Sequence, residues 1–231
     1  MPKSKVPKLR CAVGIDGCRA GWISVIRKFD GSLAWQLAPS TTEILSSLPK
    51  DAVVLIDMII GLPKGEQSGR QCDRLARQIL QPHGSRVFAA PPREALRAHS
   101  YKEACRLARQ ASGKAISKQC WYLFSKIKEL DLLKDQRIRE SHPELVFSRF
   151  NQGRPIATSK KQSAGQLERL KLLQVQMPES HALYNDLIAK TRRKEIARDD
   201  ALDALALCAA ATLPDKLTRL PKTKNVPAIW F

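Results

Sequence analysis

An aspartate inside an apolar segment is the feature that most constrains the fold of this chain. Residues 52–60, AVVLIDMII, are apolar at every position except Asp57. A strand that is apolar on both faces is covered on both sides and is typical of the centre of a parallel sheet. An ionised carboxylate buried there without partners is strongly unfavourable. We therefore expect a layered α/β protein in which other groups compensate the charge of Asp57.

Three segments before this strand predict antiparallel pairing. They are CAVGID, GWISVIRKF and SLAWQLA, separated by turn signals of which FDGS is typical of a hairpin. The threonine cap and apolar spacing of TTEILSSLP predict a short helix before the central strand. The predicted order is therefore βββαβ, with three antiparallel strands followed by parallel strands.

The spacing of apolar residues becomes helical after Pro63. Residues 64–136 are predicted to form a helical insertion after the fourth strand. The segment RIRESHPELVF resembles a fifth strand broken by Pro143, and three helices follow it, the last through RDDALDALALCAAATL. We place a single domain at residues 11–213, between a flexible basic arm at 1–10 and an irregular tail at 214–231.

The charge of the chain predicts a polyanionic partner. Its formal net charge is +18, and the insertion at 64–136 carries 15 basic and 7 acidic residues, whereas residues 11–63 are slightly acidic. This distribution is expected of a phosphate-binding surface beside an acidic pocket. Solvated basic helices would give the same charge without any such partner.

Cysteine usage and hydropathy predict a soluble cytoplasmic protein. Six cysteines occur without a Cys-x-x-Cys pair, which favours reduced thiols over a zinc site or a disulfide framework. The basic opening leads into no apolar signal segment, and no run approaches the roughly 18 apolar residues of a membrane span. We expect no membrane association, and the oligomeric state stays open.

Three separated elements carry acids at positions where burial is expected. Asp16 ends the first apolar strand, Asp57 lies in the fourth, and Asp200 and Asp203 share one face of the last helix, whose residues 204–213 are uncharged. Mg²⁺ binds oxygen ligands, and two ions about 3.5–4 Å apart can hold the attacking and leaving oxygens of a phosphodiester. The acids therefore predict a Mg²⁺ or Mn²⁺ site with room for two ions.

Each acid also has a purely structural interpretation. Asp16 precedes Gly17 and is typical of a turn, and Asp57 has many arginines available as ion-pair partners. Asp199 and Asp200 suit the N-terminus of a helix, as a cap or as charges that complement its dipole. The residue pattern alone leaves both interpretations open.

The motifs, taken together and in order, resemble one family. VGIDGCRAGW, IDMIIGLP, CDRLAR, VFAAPPREAL, SKQCW, ESHPELVF and GRPIATSKK followed by ERL, spread over residues 13–211, are similar to domain-of-unknown-function family 429. Its members are predicted RNase H-like nucleases. The βββαβ start, the strand aspartates and Asp-x-x-Asp-Ala-Leu-Ala on the last helix resemble the RuvC-type version of that fold. The resemblance implies an RNase H-like fold and a metal-dependent nuclease.

The resemblance also implies roles for individual residues. It makes four aspartates catalytic and metal-binding candidates: Asp16, Asp57, Asp200 and Asp203. Resolvases of this kind commonly have glutamate at the position of Asp57. The aspartate here keeps the negative charge but has a shorter side chain. Glu144, in His-Pro-Glu, is a further catalytic candidate, although a glutamate after proline is also typical of a helix or turn cap. His142 either orients Glu144 or a water, or is structural.

We predict metal-dependent hydrolysis of nucleic-acid phosphodiester bonds. Arg19, Lys160 and Lys161 are candidates for contacting the phosphates, and Trp121 and Tyr122 either stack a base or pack in the core. Two other functions stay open. One is a nucleotide-phosphate-binding protein of the actin-like or sugar-kinase type, with GIDGCRAG and IDMIIG as phosphate loops. The other is a non-catalytic nucleic-acid binder.

Overall fold

A computed structural model describes residues 10–63 and 69–231. A mixed sheet of five strands lies at the centre, in the order β3-β2-β1-β4-β5. Its strands are β1 (Ala12–Cys18), β2 (Gly21–Arg27), β3 (Leu33–Ala38), β4 (Val53–Ile56) and β5 (Ile138–Glu140). The predicted basic arm at residues 1–10 lies outside the described residues except for Arg10, as does the start of the predicted insertion at 64–68.

Helices cover both faces of this sheet. They are α1 (Thr41–Ser46), α2 (Gln71–Ile79), α3 (Tyr101–Ser112), α4 (Lys118–Tyr122), α5 (Phe124–Leu132), α6 (Pro143–Phe150), α7 (Ser163–Gln176), α8 (Ser180–Lys190) and α9 (Arg198–Ala211). The 3₁₀ turns are Gly84–Arg86, Arg93–Arg97 and Pro214–Lys216. Helices α2 to α5 lie between β4 and β5, which confirms the predicted helical insertion.

The predicted sheet is confirmed in its strand directions. β1 pairs antiparallel with β2, and β2 pairs antiparallel with β3. β4 lies between β1 and β5 and pairs parallel with both. Every residue of β4 is buried, because helices cover both faces of the sheet at this central position.

Alternation along the strands divides the core into two layers. Odd-numbered residues of β1 and even-numbered residues of β4 pack with α1, α3 and α5, for example Val13, Ile15, Val54 and Ile56. Residues of the opposite parity pack with α6 to α9, for example Ala12, Val53 and Leu55. Asp16 and Asp57 have the parity of this second layer. Their side chains are therefore expected on the side of the sheet that α9 covers.

Three predicted strand boundaries were wrong. β1 does not end at Asp16 but continues to Cys18, because pairing with β2 extends past the last pair with β4, Ile15 with Ile56. β4 ends at Ile56, so Asp57 follows the strand. In RIRESHPELVF only Ile138–Glu140 is a strand, and Pro143 opens helix α6. Proline is favoured at a first helical position because no intrahelical partner exists there for an N–H.

The end of the chain differs from the predicted irregular tail. Two short strands, β6 (Arg219–Leu220) and β7 (Ile229–Trp230), pair antiparallel. Trp230 also forms a parallel bridge with Ser141, just after β5. Ile229 is 1% exposed and packs with Leu145. Burial of this apolar side chain stabilises the tail against the sheet edge.

All six cysteines are buried and unbridged. Within the described residues, every helix is too short or too polar to cross a lipid bilayer.

Candidate metal centre

Close packing of α9 on β1 builds the site. Gly14 has no Cβ, and a Cβ there would collide with the carbonyl oxygen of Ala204 and the backbone nitrogen of Cys208. Helix α9 therefore crosses β1 at Gly14 at backbone contact distance. Asp16 is two residues further along the same face of β1, and Asp203 precedes Ala204 on the helix. The crossing thus brings these two aspartates together.

Asp57 joins them because the end of β4 is tied to β1. The Asp57 N–H donates to the carbonyl oxygen of Ile15 at 2.9 Å. One carboxylate oxygen each from Asp16, Asp57 and Asp203 lies within 4.8 Å of the others. We call these three residues the acid cluster. Three hard oxygen donors at this spacing could hold a metal ion.

One fully buried oxygen of the acid cluster has no hydrogen-bond partner among the described residues. Asp203 is 1% exposed, and its Oδ1 is buried and unpaired. A buried polar atom without a partner is rare and unfavourable. Beside two further carboxylates, this oxygen could bind a cation.

Burial and mutual repulsion raise the pKa values of the acid cluster. For Asp16, burial followed by the charges of Asp57 and Asp203 raises the pKa well above its ordinary value. Burial raises the pKa of Asp57 to about 6 and that of Asp203 to about 7, although the Lys160 ammonium opposes both shifts. Part of the negative charge is thus unfavourable at neutral pH, and a bound cation would relieve it.

Lys160 supplies a positive charge inside the acid cluster. Its Nζ donates to Asp203 Oδ2 in a short ion pair. Burial disfavours the ammonium, but the charges of Asp203, Asp16 and Asp57 outweigh burial and raise the pKa of Lys160 above its ordinary value. The sequence predicted Lys160 as a phosphate contact. In the structure it is an ion-pair partner of a candidate ligand.

Asp200 lies beside the acid cluster but caps α9. Its Oδ2 accepts from the N–H of Ala197 at 2.9 Å, which is the capping interpretation that the sequence left open. Burial raises the pKa of Asp200, and the hydrogen bond to Ala197 opposes this shift. Asp200 lines the same cavity as the cluster but is not one of the three acids within 4.8 Å of one another.

Glu144 is held by two arginines. Arg169 donates to both of its carboxylate oxygens at 2.7 and 3.0 Å, and Arg86 donates to Oε2 at 2.7 Å. Burial would raise the pKa of Glu144, but these guanidinium groups outweigh burial and lower it. A carboxylate paired in this way is less suited to bind a cation. The structure therefore favours a structural role for this candidate residue.

A second buried ion network secures the loop after β4. Arg70 pairs with Asp73 and Glu140, and its NH1 also donates to the carbonyl oxygens of Ile60 and Gly61 at 3.1 and 3.3 Å. Glu140 accepts from the Ile60 N–H at 2.7 Å. This network fixes the segment that directly follows Asp57.

A cavity of about 390 Å³ opens beside the acid cluster. Its remaining walls include His142 and apolar side chains, among them Val87, Phe88 and Ile229. Burial lowers the pKa of His142, which favours the neutral ring. His142 Nε2 lies 3.4 Å from the Arg86 carbonyl oxygen, and Nδ1 is buried without a partner. The imidazole is thus a further polar group in the wall.

Two other predicted phosphate contacts lie at the rim. Arg19 and Lys161 line a neighbouring groove together with Arg193 and Arg198. Arg19 donates to the Arg193 carbonyl oxygen at 2.9 Å, which leaves its other N–H groups for a ligand. The groove places a basic surface next to the acidic centre.

The two aromatic residues that the sequence offered for base stacking, Trp121 and Tyr122, differ in their surroundings. Trp121 packs between Tyr101 and Phe124, at centroid distances of 6.5 and 5.0 Å. Tyr122 is 67% exposed. Of these two residues, Tyr122 is the one with an exposed ring on which a base could stack.

Sequence reasoning missed the buried arginines. Gly165, Arg169 and Leu173 are spaced four apart and are all buried in α7, so a charge inside an apolar stripe was a usable signal. Arg70 precedes Asp73 by three residues, a spacing that allows a local ion pair, but its second partner, Glu140, is 70 residues away and gave no local signal.

Together the fold and site define an α/β protein with a carboxylate centre at the junction of a parallel strand pair and a buried helix. The profile of the family described as "Protein of unknown function (DUF429)" matches residues 14–225. The chain therefore belongs to this family, as its motifs implied. No curated protein and no solved structure matches the chain.

Proposed function

We propose that this chain is a Mg²⁺- or Mn²⁺-dependent nuclease of the RNase H-like class that hydrolyses phosphodiester bonds of nucleic acid. The observation that carries the proposal is the buried, unpaired Oδ1 of Asp203 within the acid cluster. Hard divalent cations prefer such oxygen donors and keep several waters. A centre open to a cavity on one side leaves room for those waters and for a phosphate.

The acid cluster would hold the ion, with Asp16, Asp57 and Asp203 as ligands. When bound, the ion supplies charge stabilisation at the phosphate and lowers the pKa of water. The chain contributes preorganisation, because a strand, a strand end and a buried helix fix the three carboxylates. The oxygen of a water forms a bond to phosphorus, and the bond to the leaving sugar oxygen breaks.

The basic groove supports a polyanionic substrate. Arg19, Lys161, Arg193 and Arg198 lie next to the centre, and the whole chain carries a net charge of +18. Lys and Arg side chains in such a groove neutralise phosphates along a strand. We therefore favour nucleic acid over a small phosphate ester as the substrate.

The backbone of the IDMIIG segment argues against the nucleotide-binding alternative. A phosphate loop needs free backbone N–H groups. The Asp57 N–H is bonded to Ile15 and the Ile60 N–H to Glu140. These donors are already used within the protein.

Cleavage assays on labelled single- and double-stranded DNA and RNA test the proposal. We expect cleavage that requires Mg²⁺ or Mn²⁺ and stops with EDTA. Asp16→Asn and Asp57→Asn should each lower the rate by about 100-fold or more, with thermal unfolding showing an intact fold. Asp51→Asn, an exposed change just before β4, is the matched control and should cleave like the wild type.

Undiminished cleavage by both cluster variants would refute the assignment of these ligands. Binding of ATP without any nuclease activity would favour the nucleotide-binding alternative. Salt-sensitive nucleic-acid binding that needs no divalent ion and yields no product would favour the non-catalytic binder.

A further inference from the structure

Lys160 forms an ion pair within the acid cluster, whereas a lysine that only contacts phosphates requires no carboxylate partner. Its Nζ is bonded to Asp203 Oδ2, and its charge also acts on Asp16 and Asp57. Its side chain is only 30% exposed. An ammonium ion therefore already sits among the three carboxylates.

The backbone that carries Lys160 is fixed from one side by Arg86. Its NH1 donates to the carbonyl oxygen of Ile156 at 2.7 Å, and its NH2 donates to that of Ala157 at 3.1 Å. The Ile156 side chain is 1% exposed. The segment before Lys160 is thus anchored by both polar and apolar contacts.

Helix α7 fixes the same segment from the other side. Fully buried Arg169 donates to the Thr158 carbonyl oxygen at 3.1 Å, and Gln166 donates to the carbonyl oxygen of Lys160 at 3.0 Å. Gly165 lets the helix approach so closely that a Cβ there would collide with the Ser159 carbonyl oxygen. Glu144 ties Arg169 to Arg86. A buried network of this kind is costly to build, and here it holds the segment that leads to Lys160.

Charge balance limits what else the centre can hold. The three ionised carboxylates of the acid cluster carry −3, and the Lys160 ammonium leaves −2, which one divalent ion neutralises. Asp200 in the cavity wall adds one more negative charge and brings the total before metal binding to −3. Two divalent ions beside the fixed ammonium would reverse the sign of the acid cluster. Like charges at this separation in a buried site repel strongly.

We propose that Lys160 is a built-in second cation, so that the centre binds one divalent ion and uses the ammonium where a two-metal nuclease uses its second ion. This inference rests on the proposed nuclease function. As the bond to the leaving sugar oxygen breaks, its electron pair stays on that oxygen, which takes a proton from solvent. The attacking water releases its proton to solvent. Lys160 stays protonated and stabilises the charge on the phosphate oxygens.

Metal stoichiometry of the full chain tests this assignment without any nucleic acid. Titration with Mn²⁺, followed by calorimetry and by electron paramagnetic resonance, should show one ion per wild-type chain and no signal from a coupled Mn²⁺ pair. Lys160→Met should bind the first Mn²⁺ at least tenfold more tightly, because the competing ammonium is gone. Lys171→Met removes the same charge from the exposed face of α7 and should leave Mn²⁺ affinity unchanged.

The cleavage rate of Lys160→Met distinguishes a lysine that acts as a second cation from one that a metal ion simply displaces. We expect it to fall at least tenfold at saturating Mn²⁺, despite the tighter binding. Unchanged cleavage would show that an ion simply displaces the lysine, and it would overturn the inference. Two ions in the wild type, or unchanged Mn²⁺ affinity in Lys160→Met, would overturn it as well.

The wild-type titration remains decisive even if Lys160→Met fails to fold. A wild type that binds one Mn²⁺ but cleaves no nucleic acid would refute the proposed function and with it the catalytic use of Lys160, whereas two bound Mn²⁺ with metal-dependent cleavage would refute the inference about Lys160 alone. A wild type that binds no Mn²⁺ would refute both.

Discussion

At the scale of single residues, the two aspartates at the start of α9 differ in what surrounds them. Asp200 accepts a hydrogen bond from Ala197, whereas Asp203 has one buried oxygen without a partner. The sequence places both on one helical face, three residues apart, and treats them alike. Only Asp200 has a complete structural explanation within the protein. Replacing Asp200 and replacing Asp203 should therefore have different effects on metal binding.

Asp203→Asn should weaken Mn²⁺ binding by about 100-fold or more, because an anionic ligand becomes neutral. Asp200→Asn keeps an oxygen that can accept from Ala197, so its Mn²⁺ affinity should change by less than about tenfold. Calorimetric titration of both proteins makes the comparison. Equal losses in the two variants would return Asp200 to the ligand set.

Arg169→Met should destabilise the protein by about 3 kcal/mol, because removing one partner leaves the buried Glu144 carboxylate undercompensated. Urea unfolding measures the change. The double variant Arg169→Met with Glu144→Gln should lose less than the sum of the single losses, since the residues contact each other. Lys171→Met, exposed on the same helix, is the control and should stay within about 0.5 kcal/mol of the wild type. Additive losses would contradict the coupling.

At the scale of elements, the crossing of β1 and α9 decides whether the acids meet. Residues 204–211 are buried all round the helix, as their uncharged sequence predicted. The place where it crosses the sheet depends on Gly14, because only a residue without a Cβ permits the contact with Ala204. The glycine therefore positions Asp203 over the end of β1.

Gly14→Ala should push α9 away from β1, destabilise the protein by about 1–3 kcal/mol and weaken Mn²⁺ binding. Gly17→Ala is a matched change in the same strand, where a Cβ would come close to the flexible side chain of Lys126 and make ordinary contact with Met58, but would meet no backbone atom within 4 Å among its nearest neighbours. Chemical unfolding and Mn²⁺ titration of both proteins distinguish the two positions. A Gly14 variant with wild-type stability and affinity would show that the helix can adjust.

At the scale of the whole molecule, raised acid pKa values link stability to pH and to metal. The pKa of Asp57 is raised to about 6 and that of Asp203 to about 7. Between the unfolded value near 3.8 and these folded values, the native state binds more protons than the unfolded state. The free energy of unfolding of the metal-free protein therefore falls as pH rises through this window.

The melting temperature in EDTA should accordingly be higher at pH 5 than at pH 7.5, apart from the titration of other groups. Mn²⁺ should raise the melting temperature more at pH 7.5, because protons no longer compete for the ligands. Asp203→Asn isolates the contribution of this carboxylate, since the melting temperature of that variant in EDTA should depend less on pH. Equal pH profiles for the two proteins would contradict the contribution of this carboxylate.

The sequence by itself determined the order of the first elements along the chain, the central parallel strand, the helical insertion and the buried last helix. These follow from the periods of apolar residues, which local chain geometry imposes. It also determined which aspartates were candidates, because a charge within an apolar segment is visible without a structure. Strand ends were less well determined, since pairing rather than composition decides where β1 and β4 stop.

Only the tertiary structure decided which acids meet and which charges oppose them. Three of the candidate acids lie close together, namely Asp16, Asp57 and Asp203. Asp200 caps a helix. Glu144 forms ion pairs with Arg169 and Arg86. Lys160 is 43 residues from its partner in the chain. Coulombic and hydrogen-bonded partners are selected by distance in space, and no local pattern encodes a distance between segments so far apart.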